Sequence, residues 1–168
     1  PEKGVSELLG AAKLLAKEND IHFLFAGDGP LRNNVENAGE NVHALGRITR
    51  PEIAALLLQS DVFCLPTRSE GFSTSLLEAA VCGCAPIITK VGGVSELIPD
   101  DSYGMVIDRS DASTITQAIE HLYDEPLVRS SMADQIKQRA QESFTWQMTT
   151  DRVLEAFKRI KSEEEEQT

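Results

Sequence analysis

Short apolar runs alternate with helical stretches along almost the whole chain, and that alternation decides the architecture. "GVSELLGAAKLLAK" places Val5, Leu8, Leu9, Ala12, Leu15 and Ala16 on one helical stripe. "IHFLFAG" follows, almost wholly apolar, as a strand covered on both faces would be. Next come a helix over 31–38, a strand "NVHAL", a helix "RPEIAALLLQS" with Pro51 near its first turn, and a strand "DVFCLP". Residues 73–82 read as a helix, "APIITK" as a strand, "VSELI" as a short helix and "YGMVID" as the last strand. Helices over about 112–123, 127–142 and 146–161 finish the chain. Repeated strand–helix–strand units imply a parallel sheet with helices on both faces, a Rossmann-like α/β fold. Ligands of such sheets bind at the carboxyl ends of the strands, which singles out the loops after "IHFLFAG", "NVHAL", "DVFCLP" and "APIITK".

Charge and cysteine content narrow the function classes. The 168 residues suffice for one domain with a sizeable core. Sixteen Lys and Arg stand against 27 Asp and Glu, and no basic cluster offsets the net charge of -11, which argues against a nucleic-acid partner. An anionic ligand must therefore be held by local groups. "SEEEEQ" marks 162–168 as an acidic, solvated tail, leaving 1–161 as the domain. No apolar run approaches the roughly 18 residues of a membrane span. Cys64, Cys82 and Cys84 lie in apolar surroundings without His or further Cys at ligand spacing, so buried thiols, no metal site and a cytoplasmic location are expected. His22, His43 and His121 are expected to pack or to sit on the surface rather than to catalyse.

The loops differ in what they offer. Gly27-Asp28-Gly29-Pro30 leaves room for close backbone approach, and equally suits a plain strand-to-helix turn. Gly46-Arg47-Ile48 is uninformative alone. The loop Thr67-Arg68-Ser69-Glu70-Gly71-Phe72 says more, because Ser73 or Thr74 can cap the helix it enters. The unpaired N–H groups of that helix start carry roughly half a positive charge and accept a phosphate. Glu78 lies four residues after Thr74, hence on the same helix face, and is well placed to accept two hydrogen bonds from a diol about one sugar ring away. The alternatives are an ordinary exposed glutamate or one paired with a lysine. Gly71 would admit a ligand against the backbone, leaving Glu70 beside the group on the far phosphate.

At these residues the sequence resembles the retaining glycosyltransferases of the GT-B fold, family 4, in their C-terminal, nucleotide-sugar-binding half. "EGFSTSLLE" resembles that family's pair of glutamates eight residues apart. Lys3-Gly4, "FLFAGDGP", "NVHALGRI", "SDVFCLPTRSEGF", "CGCAPIITKVGGVSELI", "YGMVID" and Phe144-Thr145-Trp146 follow the family pattern in order and spacing. The resemblance implies that Glu78 binds the donor ribose, that Glu70 sits beside the transferred sugar, and that Lys3 neutralises the leaving diphosphate. It implies that the backbone at Gly71, Phe72, Ser73, Thr74, Ser75 and Leu76 holds sugar and diphosphate. Gly27 and Gly29 would floor the donor pocket, and Arg47 and Ile48 would read the base. The implied donor is a UDP-, GDP- or ADP-sugar, with no cofactor.

Ser73 departs from the family, which usually has a second glycine there, and this bears on which sugar fits. No Asp-x-Asp metal motif occurs, in keeping with a metal-independent mechanism. The resemblance also implies a partner, an N-terminal acceptor-binding domain, through which any peripheral membrane contact would run. It implies a further strand ahead of Lys3, ending in an arginine and lying between "IHFLFAG" and "DVFCLP" in the order 3-2-1-4-5-6. The first strand of the fold is thus expected to be missing, and the 168 residues alone are expected to transfer no sugar. The competing readings are an inactive nucleotide-binding module, a nucleotide-sugar epimerase of the same fold, and a dinucleotide-binding oxidoreductase domain. The last would need G-x-G-x-x-G after the first strand, which is absent.

Overall fold

The computed structural model describes residues 3–18, 20–108 and 110–166, the final six by backbone alone. Five strands and eight helices alternate along these residues. In order they are α1 (Val5–Leu14), β1 (Phe23–Ala26), α2 (Arg32–Glu36), β2 (Val42–Gly46), α3 (Arg50–Leu57), β3 (Val62–Leu65) and α4 (Thr74–Cys82). There follow β4 (Ala85–Thr89), α5 (Val94–Leu97), β5 (Met105–Ile107), α6 (Ala112–Asp124), α7 (Pro126–Ser143) and α8 (Trp146–Glu166).

All pairings are parallel, and they fall into two sheets, β1-β2 and β3-β4-β5. β1 and β3 are not hydrogen-bonded to each other. The order on either side of that interruption is the expected one. Side chains of the three-stranded sheet alternate between two cores, as the two-residue period of a strand demands. Val62, Cys64, Ala85, Ile87, Met105 and Ile107 face α1 and α6, whereas Phe63, Leu65, Ile88 and Val106 face the cluster containing Leu76, Ala80, Leu97, Ile136 and Ala140. β4 is buried at all five positions. Fully burying an Ile stabilises by about 1.5–3 kcal/mol, so Ile87 and Ile88 alone supply a notable share of the core.

The two-stranded sheet is covered less evenly. Phe23, Phe25 and Val42 join the core under α1, but Leu24 and Leu45 on the other face are 44% and 38% exposed. The expected cover on both faces of β1 is therefore not found. α3, which follows β2, has no fully buried residue, and its Ile53, Leu56 and Leu57 are half-buried. Asn41, just before β2, donates its side-chain amide to the Ala12 carbonyl at 2.9 Å, which ties this sheet to α1.

Burial pushes the Cys64 thiol up to about 12 and the Cys84 thiol up to about 11, so both stay protonated. α8 runs to Glu166, five residues past the boundary read from sequence, and Val153, Leu154, Phe157 and Ile160 are exposed along it. Residues 167–168 of the acidic end lie outside the described residues. No described helix is long and apolar enough to cross a membrane.

The start of α1 is seated on the end of β3 by Gly4. Its φ of 69° is left-handed, and a Cβ built there would lie 2.0 Å from the Pro66 carbonyl oxygen. Gly4→Ala should therefore lower unfolding free energy by about 1–3 kcal/mol or more, measured by urea denaturation. An unchanged midpoint and slope would show that α1 is not held there.

Candidate active site

Because the strands within each sheet are parallel, the loops leaving β1 and β2 emerge at one edge of their sheet and those leaving β3 and β4 at one edge of theirs, and the sequence-predicted residues fall on these loops or beside them. They form two groups. The first joins the β1 and β2 loops: the Gly27 N–H donates to the Gly46 carbonyl at 2.7 Å, and Arg47 approaches Asp28 at 3.8 Å. Asp28 also accepts from the Gly29 N–H at 2.9 Å. Arg47 is largely exposed and Ile48 half-buried.

The second group surrounds the start of α4. Ser73 is its N-cap, buried, and its hydroxyl accepts from the Leu76 N–H at 3.3 Å. The Leu76 N–H is thus already engaged and its side chain is in the core, so this residue offers a ligand little. The first-turn N–H groups at Thr74 and Ser75 have no carbonyl four residues back within the helix, and both residues are exposed. Glu78, one turn beyond Thr74, is exposed and forms no ion pair among the described residues, while Leu76, Ala79 and Ala80 of the same helix are buried.

Lys3 reaches this group from the start of α1. Its ammonium donates to Glu70 Oε1, and the Lys3 side chain is 60% exposed against 14% for Glu70. A second pair of opposite polarity lies alongside, Arg68 of the loop to Glu7 of α1 at 2.5 Å. Inside the loop, Thr67 is fully buried; its carbonyl accepts from the Thr89 hydroxyl and its own hydroxyl donates to the Ser69 carbonyl at 3.0 Å. The loop after β4 closes on it: the Gly93 N–H donates to the Gly71 carbonyl at 2.9 Å. The Phe72 ring stacks on Phe144 at 5.5 Å between centroids, a contact worth about 0.5–1.5 kcal/mol beyond burial.

Reading the sequence alone assigned no place in the site to Arg68, Glu7, Gly92, Gly93 and Phe144. The Gly-Gly dipeptide at a strand end was an available signal for two of them; the others depend on contacts far apart in the chain. Glycines at this edge divide by what surrounds them. A Cβ at Gly27, Gly29, Gly46 or Gly71 would meet nothing within 4 Å, so these positions border open space. A Cβ at Gly92, whose φ is 52°, would lie 2.1 Å from the Gly71 carbonyl oxygen and 2.2 Å from that of Glu70. Gly92 holds the loop, and Gly71 leaves room beside it.

A family model described as glycosyl transferases group 1 matches residues 1–143. The chain is 36% identical over 166 residues to the D-inositol 3-phosphate glycosyltransferase of Arthrobacter sp., covering 92% of this chain and 39% of that protein. It is 28% identical over 166 residues to the MMP alpha-(1->4)-mannosyltransferase of Mycolicibacterium hassiacum, covering 95% and 40%. The chain thus spans about two fifths of the length of the curated relatives it matches. Its fold superposes on Anabaena Alr3699/HepE, solved in complex with UDP-glucose, with a TM-score of 0.82 at 19% identity over 94% of this chain and 46% of that one.

The glycine division is testable without any ligand. Gly92→Ala should destabilise by about 1–3 kcal/mol, whereas Gly71→Ala should stay within about 0.5 kcal/mol of the parent. Thermal and urea unfolding of both variants measure this; equal effects would refute the distinction.

Proposed function

The chain belongs to the group 1 glycosyltransferases, and from that premise we propose that it is the donor-binding half of a retaining, metal-independent glycosyltransferase. The observation that carries this reading is the convergence of Lys3, Glu70 and the open start of α4 at the carboxyl edge of the sheet. There a cation, a carboxylate and helix-end N–H groups lie beside Gly71, where an added Cβ would meet nothing within 4 Å.

In this reading the donor diphosphate lies at the N–H groups of Thr74 and Ser75, with Lys3 as its counter-charge. Glu78 accepts from the ribose hydroxyls one turn along the helix, and Arg47 and Ile48 border the base at the ends of β1 and β2. Glu70 accepts from hydroxyls of the sugar being transferred. As the bond between sugar and phosphate lengthens, negative charge accumulates on the diphosphate. Lys3, once drawn to the diphosphate, and the helix-end dipole lie where that charge develops, which stabilises the transition state more than the ground state. Family membership supports sugar transfer; the diphosphate and ribose assignments rest on the placement of these side chains. The reading requires an acceptor-binding N-terminal domain as partner, and the span of two fifths of the relatives' length supports it.

Thermal shift with UDP, GDP, ADP and their sugar conjugates identifies the donor, because a ligand of the native state stabilises by RT ln(1 + [L]/Kd). Glu78→Ala should weaken the best nucleoside diphosphate by about 1.5–3 kcal/mol, and equal affinity of variant and parent for every nucleotide would remove Glu78 from the site. Lys3→Ala should weaken the nucleoside diphosphate far more than the bare nucleoside. Equal loss for both would place Lys3 elsewhere than at the diphosphate.

A further inference from the structure

Lys3 and Glu70 are the two groups assigned to different parts of the donor, yet without a donor they hold each other. We propose that this ion pair is a clasp that separates the intact donor from the spent nucleoside diphosphate. The inference rests on the donor-site reading above.

Glu70 is 14% exposed, so its carboxylate is largely withdrawn from water and needs a donor of hydrogen bonds in every state. In the resting protein that partner is Lys3. A nucleotide sugar replaces the pair on both sides: the diphosphate takes the ammonium, and sugar hydroxyls donate to the carboxylate. A nucleoside diphosphate offers Lys3 a partner but offers Glu70 none, and it brings its own negative charge towards a carboxylate that has lost its counter-ion. Opening the clasp is therefore matched by new bonds only when the sugar is present. After transfer, Glu70 loses the sugar hydroxyls and recaptures Lys3, which favours departure of the diphosphate.

The geometry suits an exchangeable pair. The Lys3 side chain is 60% exposed and precedes α1, so it swings without moving the core. Only the Lys3 end of the pair is solvated, which leaves its ammonium open to capture by a diphosphate. Arg68 and Glu7 form a separate pair between the same loop and α1, which keeps the two in register while Lys3 moves.

Glu70→Gln tests the clasp by removing the charge while keeping the shape. Binding of UDP, GDP and ADP and of UDP-glucose, GDP-mannose and ADP-glucose is measured by calorimetry on the parent chain and on Glu70→Gln. The variant should bind the preferred nucleoside diphosphate about two- to fivefold more tightly than the parent, while its affinity for the matching nucleotide sugar falls. The gain should vanish when Glu70→Gln is made in a Lys3→Ala background, since freeing an absent lysine achieves nothing. Should Glu70→Gln fail to fold, Glu70→Ala, which also removes the charge, gives the same comparison. A parent that binds a nucleoside diphosphate at least as tightly as either variant overturns the clasp and leaves the donor site standing. A gain that persists without Lys3 overturns it as well, by reducing the effect to charge repulsion from Glu70. If neither parent nor variant binds any of the six nucleotides, the donor-site reading fails and the clasp with it.

Discussion

Strand β4 is enclosed on every side: β3 and β5 bond its two edges, α1 and α6 cover one face, and α4, α5 and α7 cover the other. Its five residues are all buried, and Ala85-Pro86-Ile87-Ile88-Thr89 has no charge to accommodate. Its neighbours β3 and β5 run parallel to it and are joined to it by crossover segments, so the loops following these strands emerge at the same edge of their sheet. The loops carrying Glu70 and Gly92 leave β3 and β4 side by side for that reason, close enough for Gly93 to bond Gly71. The chemistry at the edge is a consequence of how the interior is layered.

Much of this was legible in the amino-acid sequence. The alternation of apolar runs with helical stripes identified all five strands in order, and the two groups of pairings follow the expected sheet sequence. A hydroxyl cap at Ser73 or Thr74 followed from residue type and the loop before it, since a short hydroxyl there satisfies an N–H that the helix cannot, and the cap is Ser73. What escaped was set by distance along the chain. Lys3 meets Glu70 across 67 residues and Arg68 meets Glu7 across 61, and no local pattern encodes such pairs. The exposure of Leu24 also escaped, because an apolar run records what a strand can bury and not what is packed over it. The length of α8 escaped because a run of glutamates reads as solvated on composition while glutamate is also a good helix former.

The cysteines illustrate how surroundings decide chemistry. Cys82-Gly83-Cys84 has the look of a redox or metal pair, but the Cys84 thiol donates to the Leu57 carbonyl at 3.1 Å and is buried. Burial disfavours its thiolate, the form that would bind a metal or attack a disulfide. Surroundings in reverse mark the α4 start: its hydroxyl residues Thr74 and Ser75 are exposed while Leu76, Ala79 and Ala80 of the same helix are packed.

Helix α1 links the two ends of the site. Gly27 and Arg47 follow strands of one sheet, and Glu70 and Ser73 follow a strand of the other. α1 contributes Ala11, Ala12 and Leu15 to a core shared by both sheets, accepts from Asn41 at one and abuts Pro66 at the other. A substitution that displaces α1 would therefore be felt at both groups of the site together, although none of its core residues touches either group.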